Sequence, residues 1–230
     1  MEYYNIYHSI VNDDIIKFNS MKVKHQKRLI ETVENVIGKT AKPQEFIEHL
    51  KEIIFELVDI DRKNMYYSDF EYLLFLIRAK SYGDNIEYSK KIKKKSVPLT
   101  FNISEDISII GEKGKDFVRV NLSNGDEIEL SPLTVEEHFS IDTKQNIVLQ
   151  KLNILAMSLR KKVFDDEVLS FEMKNSKEDY IDELDIIDLE KLKNAYNTFP
   201  KISTKKMEKV GDEEFEIEFG DMESNFFELS

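Results

Sequence analysis

The residue types able to do chemistry are unevenly supplied in this chain. Cysteine is absent, which removes disulfides, thiolate nucleophiles, iron–sulfur clusters and thiolate zinc sites. The histidines are His8, His25, His49 and His138. No two lie three or four residues apart, so no helix offers a metal a pair of imidazoles, and ordinary surface or half-buried histidine is the better reading. Carboxylates number 45 and are densest at Asp182, Glu183, Asp185 and Asp188. Hard cations take such oxygen ligands, but the Asp185–Asp188 spacing is equally what a helix N-terminus wants against its dipole. Capping and solvation are the simpler assignment. No stretch has the spaced acids and central glycine of a calcium loop, and no Gly-x-Ser-x-Gly elbow supports a serine triad. Glycosidase-type carboxylate pairs have no positional signal. The sequence therefore names no catalytic, cofactor-binding or metal-ligating residue.

Phosphate-cradling loops fare no better. The close glycine pair Gly111 and Gly114 lacks both a third glycine and a Gly-Lys-Ser/Thr sequence, which disfavours the familiar nucleotide sites. The basic run Lys90, Lys91, Lys93, Lys94 and Lys95 could touch nucleic acid, but it lacks arginine and interleaved aromatics. A solvated connector is the plainer account, with an acidic protein partner as the alternative. Eight acids and no Lys or Arg follow Lys209, so this tail is the natural intramolecular counterpart of the run. The net charge of −12 repels phosphate backbones and anionic lipid overall. The longest apolar run is the six residues Tyr72 to Ile77, far short of the roughly 20 a membrane span needs. The N-terminus lacks the basic start and apolar stretch of a signal peptide. A soluble intracellular product is expected.

The elements that must position these residues follow from periodicity. Hydrophobic residues at 41% are enough for a packed core. The first 20 residues are ambiguous, with Tyr3, Tyr4 and Tyr7 free to pack on the body or on a partner. Leu29, Ile30, Val33, Val36 and Ile37 follow a helical period, with Gly38 as the stop. Pro43 opens a second helix, where its missing N–H costs nothing. Phe46, Ile47, Leu50, Ile53, Ile54, Leu57 and Val58 form its apolar face. A third helix is expected from Ser68, with Ser68 and Glu71 as a capping box and Gly83 as C-terminal cap. It is apolar nearly all round from Phe70 to Ile77, which marks a central helix. Beyond the lysine run, Phe101, Ile103, Ile107, Ile109 and Ile110 carry strand character. Asn124-Gly125 between alternating apolar residues signals a hairpin, closed by Pro132. Helical spacing returns at Val148, Leu152, Leu155 and Leu159, with Arg160, Lys161 and Lys162 at the end where cations suit the dipole. Leu189, Leu192, Tyr196 and Phe199 mark a last helix, capped by Asp185 or Asp188 and followed by Pro200. Phe215, Ile217 and Phe219 alternate with Glu216 and Glu218 as a half-buried strand.

Three segments together resemble a known family. They are DFEYLLFLIRAKSYGD (69–84), EIELSPLTVEEHFSI (127–141), and IDELDIIDLEKLKNAYNTFPKI after Tyr180 followed by EFEIEFGDMESNFF up to Phe227. The helix ending in Arg78, Lys80, Ser81 and Gly83, then a helix stopped by Pro200, a strand, Gly220 and Phe226-Phe227, are similar to the baseplate hub subunits and hub-assembly proteins of T-even-type (T-four-like) contractile-tailed bacteriophages. The likeness covers roughly residues 45–228. Several relatives carry Cys pairs near two of these segments. Here Ser89–Ser96 and Lys206–Glu213 hold none, so any zinc of those relatives is expected to be missing.

The resemblance implies a non-enzymatic hub subunit or hub-assembly chaperone that binds hub or tape-measure components during tail morphogenesis. It would act in the host cytoplasm or in the virion baseplate, with homo-oligomerisation open, no membrane contact and no cofactor. Partner-binding candidates are Phe70, Tyr72, Phe75, Phe226 and Phe227, whose apolarity exceeds local need, with Arg78 and Lys80 from the matched motif. Arg78 is expected to pair with a buried acid. The expected fold is α+β: a mainly helical unit with a basic connector over 1–95, and an α+β unit over 96–230, with one continuous core left open. The alternatives are an acidic-residue metal-dependent enzyme, and a nucleic-acid-binding regulator acting through Lys90–Lys95.

Overall fold

Alternation, not helical period, organises the start of the chain. In the computed structural model, which describes residues 3–37, 43–92, 95–142, 144–164, 167–171, 174–210 and 213–219, strand β1 (Asn5–His8) pairs antiparallel with β2 (Ile15–Phe18). Tyr7, Ile16 and Phe18 point inward and are buried, while Tyr4, Ile6 and Ile15 face solvent. Two four-residue strands give too few repeats for a period to stand out, which is why this segment is ambiguous in sequence.

Helices α1 (Val23–Ile37) and α2 (Pro43–Leu57) follow as expected, with Leu29, Leu50, Ile53, Ile54 and Leu57 buried. Gly38 lies outside the described residues. Helix α3 (Tyr67–Tyr82) corrects the expected start. Tyr66 is the N-cap and makes no side-chain cap bond, and Ser68 already sits in the first turn. The reason is tertiary. Tyr66 bridges Thr134, and the Tyr67 N–H donates to the Leu133 carbonyl at 2.9 Å, so a neighbouring segment satisfies the amide that a capping box would otherwise serve. Gly83 ends the helix as expected, with φ +94° and its N–H on the Ala79 carbonyl.

The lysine-rich connector is a hairpin instead. β3 (Asn85–Ile92) pairs with β4 (Lys95–Asn102). Ile86, Tyr88, Leu99 and Phe101 are buried on one face with Glu87, Ser89, Pro98 and Thr100 between them, and Lys90, Lys91 and Lys95 crowd the other end of the hairpin, where they mask the alternation. Lys93 and Lys94 lie outside the described residues. The expected strand from Phe101 to Ile110 is broken by a single turn, α4 (Ile103–Asp106), capped by Asn102. Phe101 lies in β4, and beyond the turn β5 (Ser108–Ile110) resumes the extended run and pairs with β10 (Lys201–Ser203).

The Asn124-Gly125 hairpin forms between β6 (Val118–Asn121) and β7 (Glu127–Leu130), with Gly125 at φ +92°. Strands β8 (Leu159–Phe164) and β9 (Glu167–Ser170) extend it to an antiparallel sheet of order β6-β7-β8-β9. Arg160, Lys161 and Lys162 are therefore strand residues, not a helix end. Helix α6 (Ile147–Ser158) stops at Leu159, because Lys161 pairs with Glu129 and Lys162 with Asp126 across the sheet. Between them, α5 (Val135–Phe139) carries a capping box of Thr134 and Glu137. Helices α7 (Lys174–Asp182) and α8 (Ile186–Tyr196) follow, the latter capped by Asp185 as expected. The expected C-terminal strand is β12 (Glu213–Glu218), paired with β11 (Lys205–Val210).

The protein is thus α+β, with N-terminal helices and several small antiparallel sheets. Among the described residues, the buried apolar side chains fall into two clusters. The first joins the β1–β2 hairpin, α2, α3, the β3–β4 hairpin and Val135 with Ile217 and Phe219. The second joins β6, β7, α6, α7 and α8.

Candidate interaction site

Helix α3 carries most of the residues singled out by type. Phe70 and Phe75 are 3% and 0% exposed, inside the first apolar cluster. Tyr72 is half-buried, with its ring edge-on to Tyr7 at 5.3 Å and 76°. Lys80 is exposed. Phe226 and Phe227 lie outside the described residues. The structure therefore brings Phe70, Phe75 and Arg78 into one interior, sets Tyr72 at its rim and leaves Lys80 in water.

Arg78 is buried. Its guanidinium donates to the Gly83 carbonyl at 2.7 Å and the Asn85 carbonyl at 3.4 Å, and it lies 5.0 Å from the Tyr82 ring centre. It ties the end of α3 to the start of β3 through main-chain carbonyls on both sides of the turn. Burial lowers its pKa.

The polar centre of α3 is Asp69, 1% exposed. Its carboxylate accepts from the Tyr7 hydroxyl at 2.6 Å, the Ser9 hydroxyl at 2.7 Å and the Ile10 N–H at 2.9 Å. Burial raises its pKa against the opposing pull of these donors, and the Tyr7 hydroxyl is pushed upward by burial and by the Asp69 charge. A buried carboxylate of raised pKa can be an acid–base group. Here each oxygen is already taken by the chain's own donors. A small apolar cleft of about 50 Å³ between α2, α3 and Phe139 is lined by Ile47, Leu50, Tyr67, Phe70 and Glu71, and the Asp69 carboxylate is not part of its wall. The cluster is a clamp fixing the β1–β2 turn to α3. Nothing in the sequence spacing announced it, since the partners are 59 to 62 positions apart.

The two other buried carboxylates among the described residues are similarly engaged. Asp188 accepts from the Ser123 N–H and hydroxyl and from Lys191. Asp126 accepts from Tyr180 at 2.8 Å and pairs with Lys162 at 2.8 Å. Among the described residues, no group of three His, Asp or Glu could hold a metal ion, and no helix is long and apolar enough to cross a membrane. His138 stacks on Tyr67 at 3.4 Å, and burial lowers its pKa to about 4.

The matched C-terminal strand is anchored in the first cluster. The Phe219 ring stacks on Phe101 at 4.6 Å and meets Tyr88 edge-on at 5.1 Å. Lys90 donates to the Glu218 carbonyl at 2.8 Å. The lysine run thus reaches the acidic tail through main chain, while Lys206 holds Asp106 at 2.9 Å and Glu208 at 2.7 Å.

No curated protein and no solved structure matches the chain. A family match does extend over residues 1–228, taking in α3, the Thr134 region and β12 alike, and by it the chain belongs to the T4 bacteriophage base plate protein family.

Proposed function

We propose that the protein is a hub subunit or hub-assembly factor of a contractile phage tail, non-enzymatic, binding hub or tape-measure components while the baseplate is built. The observation that carries this is the family match across residues 1–228. The engagement of Asp69, Asp126 and Asp188 by the chain's own donors supports a scaffold over a catalyst. Tyr72, Lys80, Phe226 and Phe227 contact the partner, while the buried Phe70, Phe75 and Arg78 hold α3 in place. The acidic surface steers encounter with a basic partner face and sets register.

The test is quantitative mass spectrometry of purified virions beside infected-cell lysate, with crosslinking of isolated baseplate intermediates. Crosslinks to hub or tape-measure proteins are expected in the intermediates. A few copies per virion make it a permanent hub component, and presence in lysate alone makes it an assembly chaperone. Intermediates that assemble normally without the protein, and carry no crosslink to it, would overturn the proposal.

A further inference from the structure

The first turns of two helices expose large aliphatic side chains that no core requires. At the start of α8, Ile186 and Ile187 are 76% and 67% exposed. At the start of α6, Ile147, Val148 and Leu149 are also exposed. These turns lie toward one end of the same layer. Helix α7 packs antiparallel on α6, since Lys177 in its first turn reaches the Met157 carbonyl in the last turn of α6 and Ile181 joins Leu155 in the second apolar cluster. The chain passes from α7 into α8 through Glu183–Asp185, so α8 begins at the end of α7 that points toward the start of α6.

Consecutive isoleucines on a capped helix start serve no local purpose. The α8 start is fixed by Asp185 and held to the β6–β7 turn by Asp188, so Ile186 and Ile187 are presented on a rigid element. On the α8 side the surround is acidic: from Glu178 to Glu190 there are seven carboxylates and no Lys or Arg, and the following Lys191 is paired with Asp188, while Lys144 and Lys151 flank the α6 side. Asp182, Glu183, Asp185 and Glu190 are exposed around the isoleucines. Exposed apolar residues rimmed by charge mark interaction sites, and the sign of the rim selects the partner.

We propose that the α6–α8 apex, centred on Ile186 and Ile187, docks an amphipathic segment of a protein partner whose apolar stripe is bordered by Lys and Arg. A second copy of this chain is disfavoured, because at a net charge of −12 two such apices repel. Anionic lipid is repelled in the same way. This surface deepens the baseplate reading by naming the chemistry of the partner, and it is distinct from the α3 residues.

The test uses the full chain and a defined probe, a helical Leu/Lys peptide of about four turns with its leucines on one face. Two controls match it: the same peptide with Glu for Lys, and oligolysine of equal charge. Saturable binding of the Leu/Lys peptide by calorimetry is expected, with the Leu/Glu peptide inert and oligolysine weak and abolished by salt. Ile186→Ser with Ile187→Ser, and separately Asp182→Lys with Glu183→Lys, should each weaken the Leu/Lys peptide about tenfold or more. The melting temperature should hold, since all four side chains are exposed. The charge-reversal pair keeps the test decisive if the serine pair misfolds. Equal binding of oligolysine, or full binding by both variants, would overturn the proposal. The assay needs no phage component, so its failure leaves the hub assignment standing, and failure of the virion and crosslinking experiment leaves the surface standing.

Discussion

The Asp69 clamp makes a quantitative claim about the N-terminal hairpin. Replacing Asp69 with alanine strands three donors, the Tyr7 and Ser9 hydroxyls and the Ile10 N–H, which sit 2.6, 2.7 and 2.9 Å from its oxygens. The carboxylate is itself costly to bury, and its raised pKa says that burial outweighs the donors. Its net worth against an apolar isostere is therefore small, whereas removing it alone leaves three buried neutral donors unsatisfied, at about 1–3 kcal/mol each before the hairpin relaxes. Tyr7→Phe removes one bond to a charged acceptor, for about 1.5–3 kcal/mol. The double variant loses that bond only once, so the cycle should show a coupling of about 1.5–3 kcal/mol between Tyr7 and Asp69. Urea unfolding of the four proteins, followed by far-ultraviolet circular dichroism, measures it. Strictly additive costs, or an Asp69→Ala protein within about 1 kcal/mol of wild type, would refute the clamp.

Other expectations follow from single contacts. In Gly111→Ala the new Cβ would lie 2.3 Å from the Phe199 carbonyl oxygen at φ +89°. The β5–β10 pairing must therefore shift, costing about 3 kcal/mol, and amide exchange at Ile109 and Ile202 should accelerate. His138 is held neutral by burial, its pKa lowered from 6.5 to about 4. Its contribution is then complete above pH 6.5 and is lost as pH falls toward 4, about 3 kcal/mol in all. His138→Phe, which keeps the stack on Tyr67, should flatten that part of the stability–pH curve. Arg78→Met keeps the stem but removes the donors to Gly83 and Asn85. Thermal melting should report a loss of about 2 kcal/mol, partly recovered in Arg78→Lys.

What was legible in the sequence was what local rules decide. The apolar face of α2, the Gly83 and Asp185 caps, the Asn124-Gly125 hairpin and the alternation of β12 all stand where spacing puts them. Local rules failed where distant partners took over. Ser68 makes no capping box because the main chain near Leu133 already serves the helix start. The β3–β4 hairpin is hidden by the consecutive lysines at its turn end, and its short alternation shows only once Ile86, Tyr88 and Phe101 are seen on one face. Of the candidate site, α3 was found by its all-round apolarity. The Tyr7–Asp69 clamp was not, since carboxylates are too numerous here for any one to stand out. The exposed isoleucines of α8 look like core residues in sequence, because periodicity cannot tell an apolar face that is covered from one that is offered.

The seating of Phe219 against Phe101 and Tyr88 also has a kinetic side. Lys90 and the Glu218 carbonyl that it holds are 128 positions apart. At a synthesis rate of roughly 5–20 residues per second, the β3–β4 hairpin waits roughly 6–25 s for the strand that completes its cluster. During that interval Tyr88 and Phe101 lack the Phe219 ring, while Phe101 keeps Phe75 against it. A nascent chain in this state is open to capture by whatever reaches it first, whether a host chaperone or a neighbouring tail component being made in the same cell.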